Sequence, residues 1–121
     1  MTPAQAISML DRQLAKHGED IVLSRQVEGG ASIDVTCRAR PDTLDNEKIS
    51  AGLRGSDVHL IISPTQIIRA GWPDGNPAHR IPVANGDDKV IMVGEPPRTI
   101  AFVDPQTING VVVRINLRIT A

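Results

Sequence analysis

The chain has 121 residues, and 13 Lys and Arg against 14 Asp and Glu leave a formal charge of −1. That length holds one domain with a modest core, and the near-neutral charge excludes an overall basic field for nucleic acid or an anionic membrane. Aromatic residues make up 2% of the chain, which excludes a base-stacking surface for single strands. The lone Cys37 excludes an internal disulfide, and we expect a soluble intracellular domain with neither a membrane span nor a secretory leader.

The first predicted element is an amphipathic helix over residues 3–17. Thr2 suits the N-cap, Pro3 the first helical position, and Gln5 the closing position of a capping box. Apolar residues then recur at helical spacing, at Ile7, Leu10 and Leu14. Basic residues in the last turn and Gly18 after it predict where the helix ends.

From residue 19 the apolar period changes to two, which predicts β-strands. Gly29-Gly30 predicts a tight hairpin turn, and the strand after it alternates its faces as far as Arg40. Further strands are predicted at residues 58–62, 89–93, 98–103 and 111–119, with Asp104-Pro105 as a break and Asn109-Gly110 as a hairpin turn. The predicted fold class is mainly β (α+β), a single domain over residues 1–121. Its helix covers a six-stranded antiparallel β-sandwich or small barrel over residues 19–121.

Two loops and one short helical turn interrupt the strands. Residues 41–57 and 72–88 are rich in Pro, Gly, Asp and Asn, which predicts mobile loops. Between them, the turn near residues 64–70 repeats the pattern of the N-terminus, with Ser63 as the expected N-cap and Gln66 closing a capping box.

Residues that could carry chemistry are few and scattered. The three histidines, His17, His59 and His79, stand at no metal-ligand spacing, so surface positions are the favoured interpretation. A nucleophile pair of Cys37 and His59 is conceivable, but Cys37 lies on the apolar side of its strand. Asp87-Asp88 is typical of turn chemistry. We therefore expect neither an enzyme nor a bound cofactor or metal.

Four arginines stand on the polar faces of two predicted strands, at Arg38, Arg40, Arg114 and Arg118. Together they could meet DNA phosphates or acidic neighbours. The alternative is a solvated strand face that discourages edge-to-edge aggregation, and the near-neutral net charge favours it.

Short motifs follow one another along nearly the whole chain. After the helix these are Cys37-Arg38-Ala39-Arg40, the segment 62–73, Asn85-Gly86-Asp87-Asp88 before a strand, the turn 94–98 and the closing strand 110–118. In this order they resemble the small head–tail joining, or head-completion, proteins of tailed bacteriophages and prophages. The resemblance lies in the order and the length, since each motif alone is common in small β-barrels.

The resemblance implies a ring that sits beneath the portal, closes the DNA-filled head and presents a surface to the tail. It implies no catalytic residues and no cofactor. The implied partners are copies of the chain itself, the portal and the tail proteins, with non-specific DNA contact in the lumen and no membrane. The ring would form in the virion neck after a period in the host cytoplasm, and the isolated chain is expected to be a monomer.

Candidate interface residues come from the loops and from the arginine-bearing strands. The loop over residues 41–57 is the expected docking segment for the portal or a plug for the channel, and it contributes Asp45, Lys48 and Arg54. The loop over residues 72–88 is the expected second contact, with Trp72 as an anchor. The alternative for Trp72, a cap on the barrel core, is the slightly favoured interpretation. The strands contribute Arg38, Arg40, Arg114 and Arg118.

Two other functions remain open at this point. The first is a tail terminator or another ring protein of the tail apparatus. The second is a small β-barrel that binds a ligand, which would require a deep pocket with convergent polar groups.

Overall fold

The computed structural model describes residues 1–41 and 58–120. In these residues the helices are α1 (Pro3–His17) and α2 (Thr65–Ala70). The strands are β1 (Glu19–Gln26), β2 (Ser32–Pro41), β3 (Val58–Ile62), β4 (Asp88–Met92), β5 (Arg98–Ile108) and β6 (Val111–Ile119). Short 3₁₀ turns occur at Glu28–Gly30 and Pro77–His79.

Helix α1 has the ends that its sequence predicts. Thr2 Oγ1 accepts the Gln5 N–H at 3.2 Å, and the Thr2 N–H donates to Gln5 Oε1 at 3.0 Å, which completes the capping box. Gly18 ends the helix for a reason of space. A Cβ there would lie 2.6 Å from the carbonyl oxygen of Leu14 and 2.9 Å from that of Ala39. Only glycine therefore lets the end of α1 approach β2 this closely.

The six strands of the described residues close into one antiparallel barrel. Their order around it is β1-β2-β3-β6-β5-β4, and each strand pairs with a neighbour on both sides. The mainly-β prediction is confirmed, and of its two forms the barrel is the one observed. The pairing is one-sided along parts of two strands, since β5 beyond Thr99 pairs only with β6 and β2 before Ala39 pairs only with β1 among the described pairs.

The barrel interior is filled with aliphatic side chains and one large ring, that of Trp72. Inward positions alternate along every strand, so the core gathers residues from all of them, including Ile21, Leu23, Cys37, Leu60, Val90, Ile100 and Ile115. A second, smaller cluster lies outside the barrel wall, where Leu10 and Leu14 of α1 pack on Ile61. The helix therefore covers the barrel from outside and does not enter its core.

Strand β5 runs further than the sequence predicts. Asp104-Pro105 was expected to end it, but pairing with β6 continues to Ile108. Beyond its first residues β5 has described pairs with β6 only, since β4 pairs with Arg98 and Thr99 alone. Pro105 therefore lies where one side of the strand needs no donor, which is where a proline is tolerated.

Helix α2 begins one residue later than predicted and lacks the predicted capping box. Pro64 precedes it without a side-chain cap, while Ser63 Oγ accepts the Thr65 N–H at 3.3 Å. Thr65 Oγ1 donates to Asp11 Oδ2 at 2.7 Å, so this hydroxyl ties α2 to α1. Gly71 ends α2 in the left-handed region at φ 62°, as its position predicted.

Strand direction defines two ends of the barrel. At the upper end, α1 leads into β1, and a turn joins β4 to β5; we call that turn, residues 93–97, the β4–β5 tip. At the lower end lie the β1–β2 turn, α2 and the β5–β6 turn at Asn109-Gly110. The two ends therefore carry different segments.

Candidate interaction surfaces

Arg38 lies on the outer side of β2, but its guanidinium is engaged within the molecule. It donates to the main-chain oxygens of Leu14, Ala15 and Gly18 at 3.2, 3.3 and 2.6 Å, and to Asp20 Oδ1 at 3.2 Å. The last carbonyls of a helix have no partner inside the helix. Arg38 supplies that partner and so fastens the end of α1 to the barrel.

The single basic face predicted from the four arginines is not formed. Arg38 and Arg40 stand on β2, whereas Arg114 and Arg118 stand on β6, and β3 lies between these strands. The apolar stripe of α1 packs on Ile61, which points outward from β3. The helix must bury its stripe somewhere, and it does so between the two arginine pairs. This side of the barrel is therefore not a shared basic surface, and it is not a strand face left open to solvent.

The arginines other than Arg38 have separate surroundings. Arg114 Nε donates to Asn116 Oδ1 at 2.8 Å, and Arg40 Nε is buried without a hydrogen-bond partner in the described part of the chain. The Arg118 guanidinium lies 5.9 Å from the centre of the Phe102 ring, and both side chains are exposed. Of the four, Arg118 is the one that lies over an aromatic ring. A hollow of about 190 Å³ beside it is lined by polar and aromatic residues that include His59, Phe102, Asp104 and Asn116.

Trp72 is part of the core and not a surface anchor. Its side chain is 2% exposed, and its Nε1–H donates to the carbonyl oxygen of Ile33 at 2.9 Å. In a chain with only one other aromatic ring, a residue of this size is needed to fill the lower end of an aliphatic barrel. The interpretation of Trp72 as a core cap is confirmed, and its assignment to the interface is wrong.

A buried ion pair lies beside Trp72. Arg25 binds Asp88 with two parallel hydrogen bonds of 2.7 and 2.8 Å, and its guanidinium lies 4.8 Å from the centre of the Trp72 ring. The hydrogen bond to Asp88 raises the pKa of Arg25. Asp88 is 1% exposed and also accepts the Val83 N–H at 2.7 Å. The bond to the Val83 N–H is the contact with nearby backbone that the turn interpretation predicts. That interpretation missed the second role of Asp88, which is to pair with Arg25.

Cys37 and His59 do not form a nucleophile pair. Cys37 points into the barrel, and burial raises the pKa of its thiol to about 12. His59 stands on the opposite face of the wall, because it alternates with the inward-facing Leu60 of the same strand.

Of the two predicted loops, the structure describes the second but not the first beyond Pro41. Residues 42–57, and with them the candidate interface residues Asp45, Lys48 and Arg54, lie outside the described residues. Residues 72–87 form a connection without strands, and β4 begins at Asp88, the last residue of the predicted loop. Both of its ends, Trp72 and Asp88, are buried in the barrel, so the prediction of a docking loop is wrong at these ends.

An apolar groove at the lower end was not predicted. Its aliphatic lining comes from α2, the segment after it and the start of β6: Ile67, Ile68, Ile81, Val111, Val112 and Ile115. Pro64 and Arg80 complete the lining of what we call the end groove, about 180 Å³ in volume. The signal in the sequence is the surplus of apolar residues at Ile67-Ile68 in α2 and Val111-Val112 in β6, because two neighbouring residues of a helix or strand do not both face the core.

The upper end of the barrel carries a projection, in contrast to the groove at the lower end. Val93, at the β4–β5 tip, is 82% exposed, more than any other large apolar side chain in the described residues. Glu95 follows two residues later and pairs with Arg98 at 3.2 Å. The tip therefore projects an aliphatic side chain and a carboxylate together.

Among residues 1–41 and 58–120, no three His, Cys, Asp or Glu side chains gather closely enough to hold a metal ion. In the same ranges, no helix has the length and apolar character needed to cross a membrane. Comparison with models of protein families, with curated proteins and with solved structures finds no match for this chain. The resemblance to head–tail joining proteins therefore rests on the order of motifs in the sequence alone.

Proposed function

We propose that this chain is a structural subunit of the head–tail connector of a tailed phage or prophage. In this role it assembles with copies of itself between the portal and the tail and closes the DNA-filled head. The order of motifs along the sequence is one support. The observation that carries the proposal is the apolar surface exposed at both ends of a filled barrel, at the end groove and at Val93.

A filled barrel is better suited to assembly than to ligand binding. The side chains of the core cluster occupy the interior, where a ligand-binding barrel would keep its cavity. Each described strand has a neighbour on both sides, so we expect contacts with other subunits to be made mainly by side chains on the outer wall and at the ends. Exposed apolar patches on a small domain commonly mark such contacts.

The experiment that tests the proposal is deletion of the gene from the phage that carries it. We expect lysates with DNA-filled heads beside complete, unattached tails when they are viewed by electron microscopy. Supplying the wild-type chain from a plasmid should restore joined particles.

Other outcomes would identify another function. Tails of abnormal length would point to a tail terminator, and intact infectious particles would overturn a role in the virion altogether. A gene neighbourhood without portal, capsid and tail genes would also argue against the proposal.

A further inference from the structure

The end groove has exposed apolar surface that needs a cover and a buried arginine nitrogen that needs a hydrogen-bond partner. Ile68 is 46% exposed and Val111 is also exposed, so apolar surface stays in water until something covers it. Arg80 is the one charged side chain among the described residues that line the groove. Its Nε is buried without a hydrogen-bond partner in the described ranges. A matching occupant therefore presents an aliphatic side chain beside a carboxylate.

The β4–β5 tip carries this combination at the other end of the barrel. Val93 projects into solvent, and Glu95 follows in a turn closed by its own N–H, which donates to the Met92 carbonyl at 3.0 Å. Pro96-Pro97 restricts the backbone after it, so little conformational freedom would be lost on docking. The groove, at about 180 Å³, has the volume of about six waters, which is enough for a branched aliphatic side chain.

We propose that the β4–β5 tip of one copy of this chain docks into the end groove of a second copy, with Val93 on the aliphatic wall and Glu95 at Arg80. Tip and groove lie at opposite ends of the barrel, so a copy cannot fill its own groove. The contact is heterologous and repeats from copy to copy, closing into a ring where the rotation allows it. The ring in this inference rests on the proposed function. The contact itself rests on the two surfaces, the tip and the groove.

Such a contact is weak between two isolated copies. A single knob and one charged pair bury far less than the roughly 800 Å² per partner of a stable interface. In a closed ring each subunit makes the contact twice, and the second contact is effectively intramolecular. The isolated chain should therefore be monomeric when dilute and associate as its concentration rises.

Disulfide capture between two single variants tests the geometry directly. Val93→Cys and Ile68→Cys proteins are mixed at high concentration and oxidised, and the covalent dimer is measured on non-reducing gels. We expect dimers containing one copy of each variant, because a disulfide needs Cα atoms within about 7 Å. The native Cys37 is buried and should not compete.

Met9→Cys is the matched control for Ile68→Cys. Met9 is 43% exposed, close to the 46% of Ile68, but it lies on α1, away from the groove. The Val93→Cys and Ile68→Cys mixture should yield roughly tenfold more mixed dimer than Val93→Cys with Met9→Cys, because docking raises the effective concentration of the thiols. Equal yields from the two mixtures, or no mixed dimer in either, would overturn the proposal.

A charge exchange tests the pairing of Glu95 with Arg80. Glu95→Lys alone and Arg80→Glu alone each place like charges at every contact, so each should associate more weakly than wild type in sedimentation velocity. Mixing the two restores opposite charges at every contact between unlike copies, and association should recover. Circular dichroism of each variant establishes that it is folded. Failure of the mixture to recover would exclude this pairing.

The contact and the connector role can fail separately. If gene deletion blocks head–tail joining while Val93→Asp particles remain normal, the connector role holds and this interface is wrong. If the Val93–Ile68 disulfide forms while deletion leaves infectious particles, the contact holds and the connector role is wrong.

Discussion

The side chains whose substitution should change stability most clearly are those enclosed by the barrel. Arg25 and Asp88 satisfy each other at the lower end, with Trp72 stacked beside the guanidinium. Taking two charges out of water costs free energy that their attraction roughly offsets. Removing one partner is different, because the other charge then stays buried and unpaired.

We expect Asp88→Asn to lower the free energy of unfolding by about 1–3 kcal/mol, since it leaves the partly buried Arg25 without its charged partner. Urea unfolding followed by Trp72 fluorescence measures the change. Asp87→Asn is the control, because Asp87 is exposed, and it should change the stability by less than about 0.5 kcal/mol. Equal effects of the two variants would contradict a structural role for the pair.

Cys37 gives a prediction about pH. Burial raises the pKa of its thiol to about 12, against about 8.5 for a free thiol. The protonated thiol is thus favoured in the folded state, and its contribution to stability is fully present below the pKa of the free thiol. That contribution is lost as the pH rises toward 12.

We therefore expect the unfolding free energy of the wild type to fall more steeply over this alkaline range than that of Cys37→Ala. Chemical denaturation at a series of pH values measures both, and groups common to the two proteins cancel. Parallel curves would show that Cys37 does not titrate differently in the folded state. Near pH 8, a thiol reagent should label native protein much more slowly than protein in denaturant.

At the scale of elements, α1 is held by its own small cluster and by Arg38. Its stripe packs on Ile61, apart from the barrel core, and its last carbonyls accept from Arg38. Helix α1 is therefore a unit that can detach from the barrel wall while the core stays closed.

Ile61→Asn should release α1 without opening the barrel, because it places a polar amide under Leu10 and Leu14. We expect a loss of about 2–4 kcal/mol in helix docking, as for other large losses of buried aliphatic contact. Hydrogen exchange of α1 should quicken at denaturant concentrations where Trp72 fluorescence is still native. Simultaneous loss of both signals would mean that helix and barrel form one cooperative unit.

At the scale of the whole molecule, the closed barrel and its single core make the strands interdependent. Leu60, next to Ile61 in β3, points inward and is fully buried. Leu60→Ala should therefore destabilise the entire barrel by about 2–5 kcal/mol. Circular dichroism and Trp72 fluorescence should report the same midpoint. Separate midpoints for this variant would contradict a single barrel core.

The same closure directs assembly to the surface. Each described strand has two neighbours in the barrel, and two exposed apolar features lie at its ends, where the end groove and Val93 face opposite ways. A subunit of this kind joins others head to tail, which is what a ring or a stack requires.

Local patterns in the sequence were sufficient for much of the architecture. The capping box of α1, the turns at Gly29-Gly30 and Asn109-Gly110, and the alternation of β2 and β6 all depend on residues close together in the chain. Steric and hydrogen-bonding preferences at that range act within any fold, so these elements could be predicted. The buried state of Cys37 followed from the same alternation.

Other features were decided only by contacts between residues far apart in the chain. Arg25 of β1 meets Asp88 of the neighbouring β4, Arg38 turns to the end of α1, and Trp72 fills the lower end of the core. A local sequence pattern does not determine which of the two faces of a strand a helix will cover. It also does not determine which loop residue will be buried in the core. The sequence alone therefore determined a capped helix and an alternating set of strands. Tertiary structure decided which polar and aromatic side chains are used inside and which surfaces remain for a partner, because burial depends on what packs against each face.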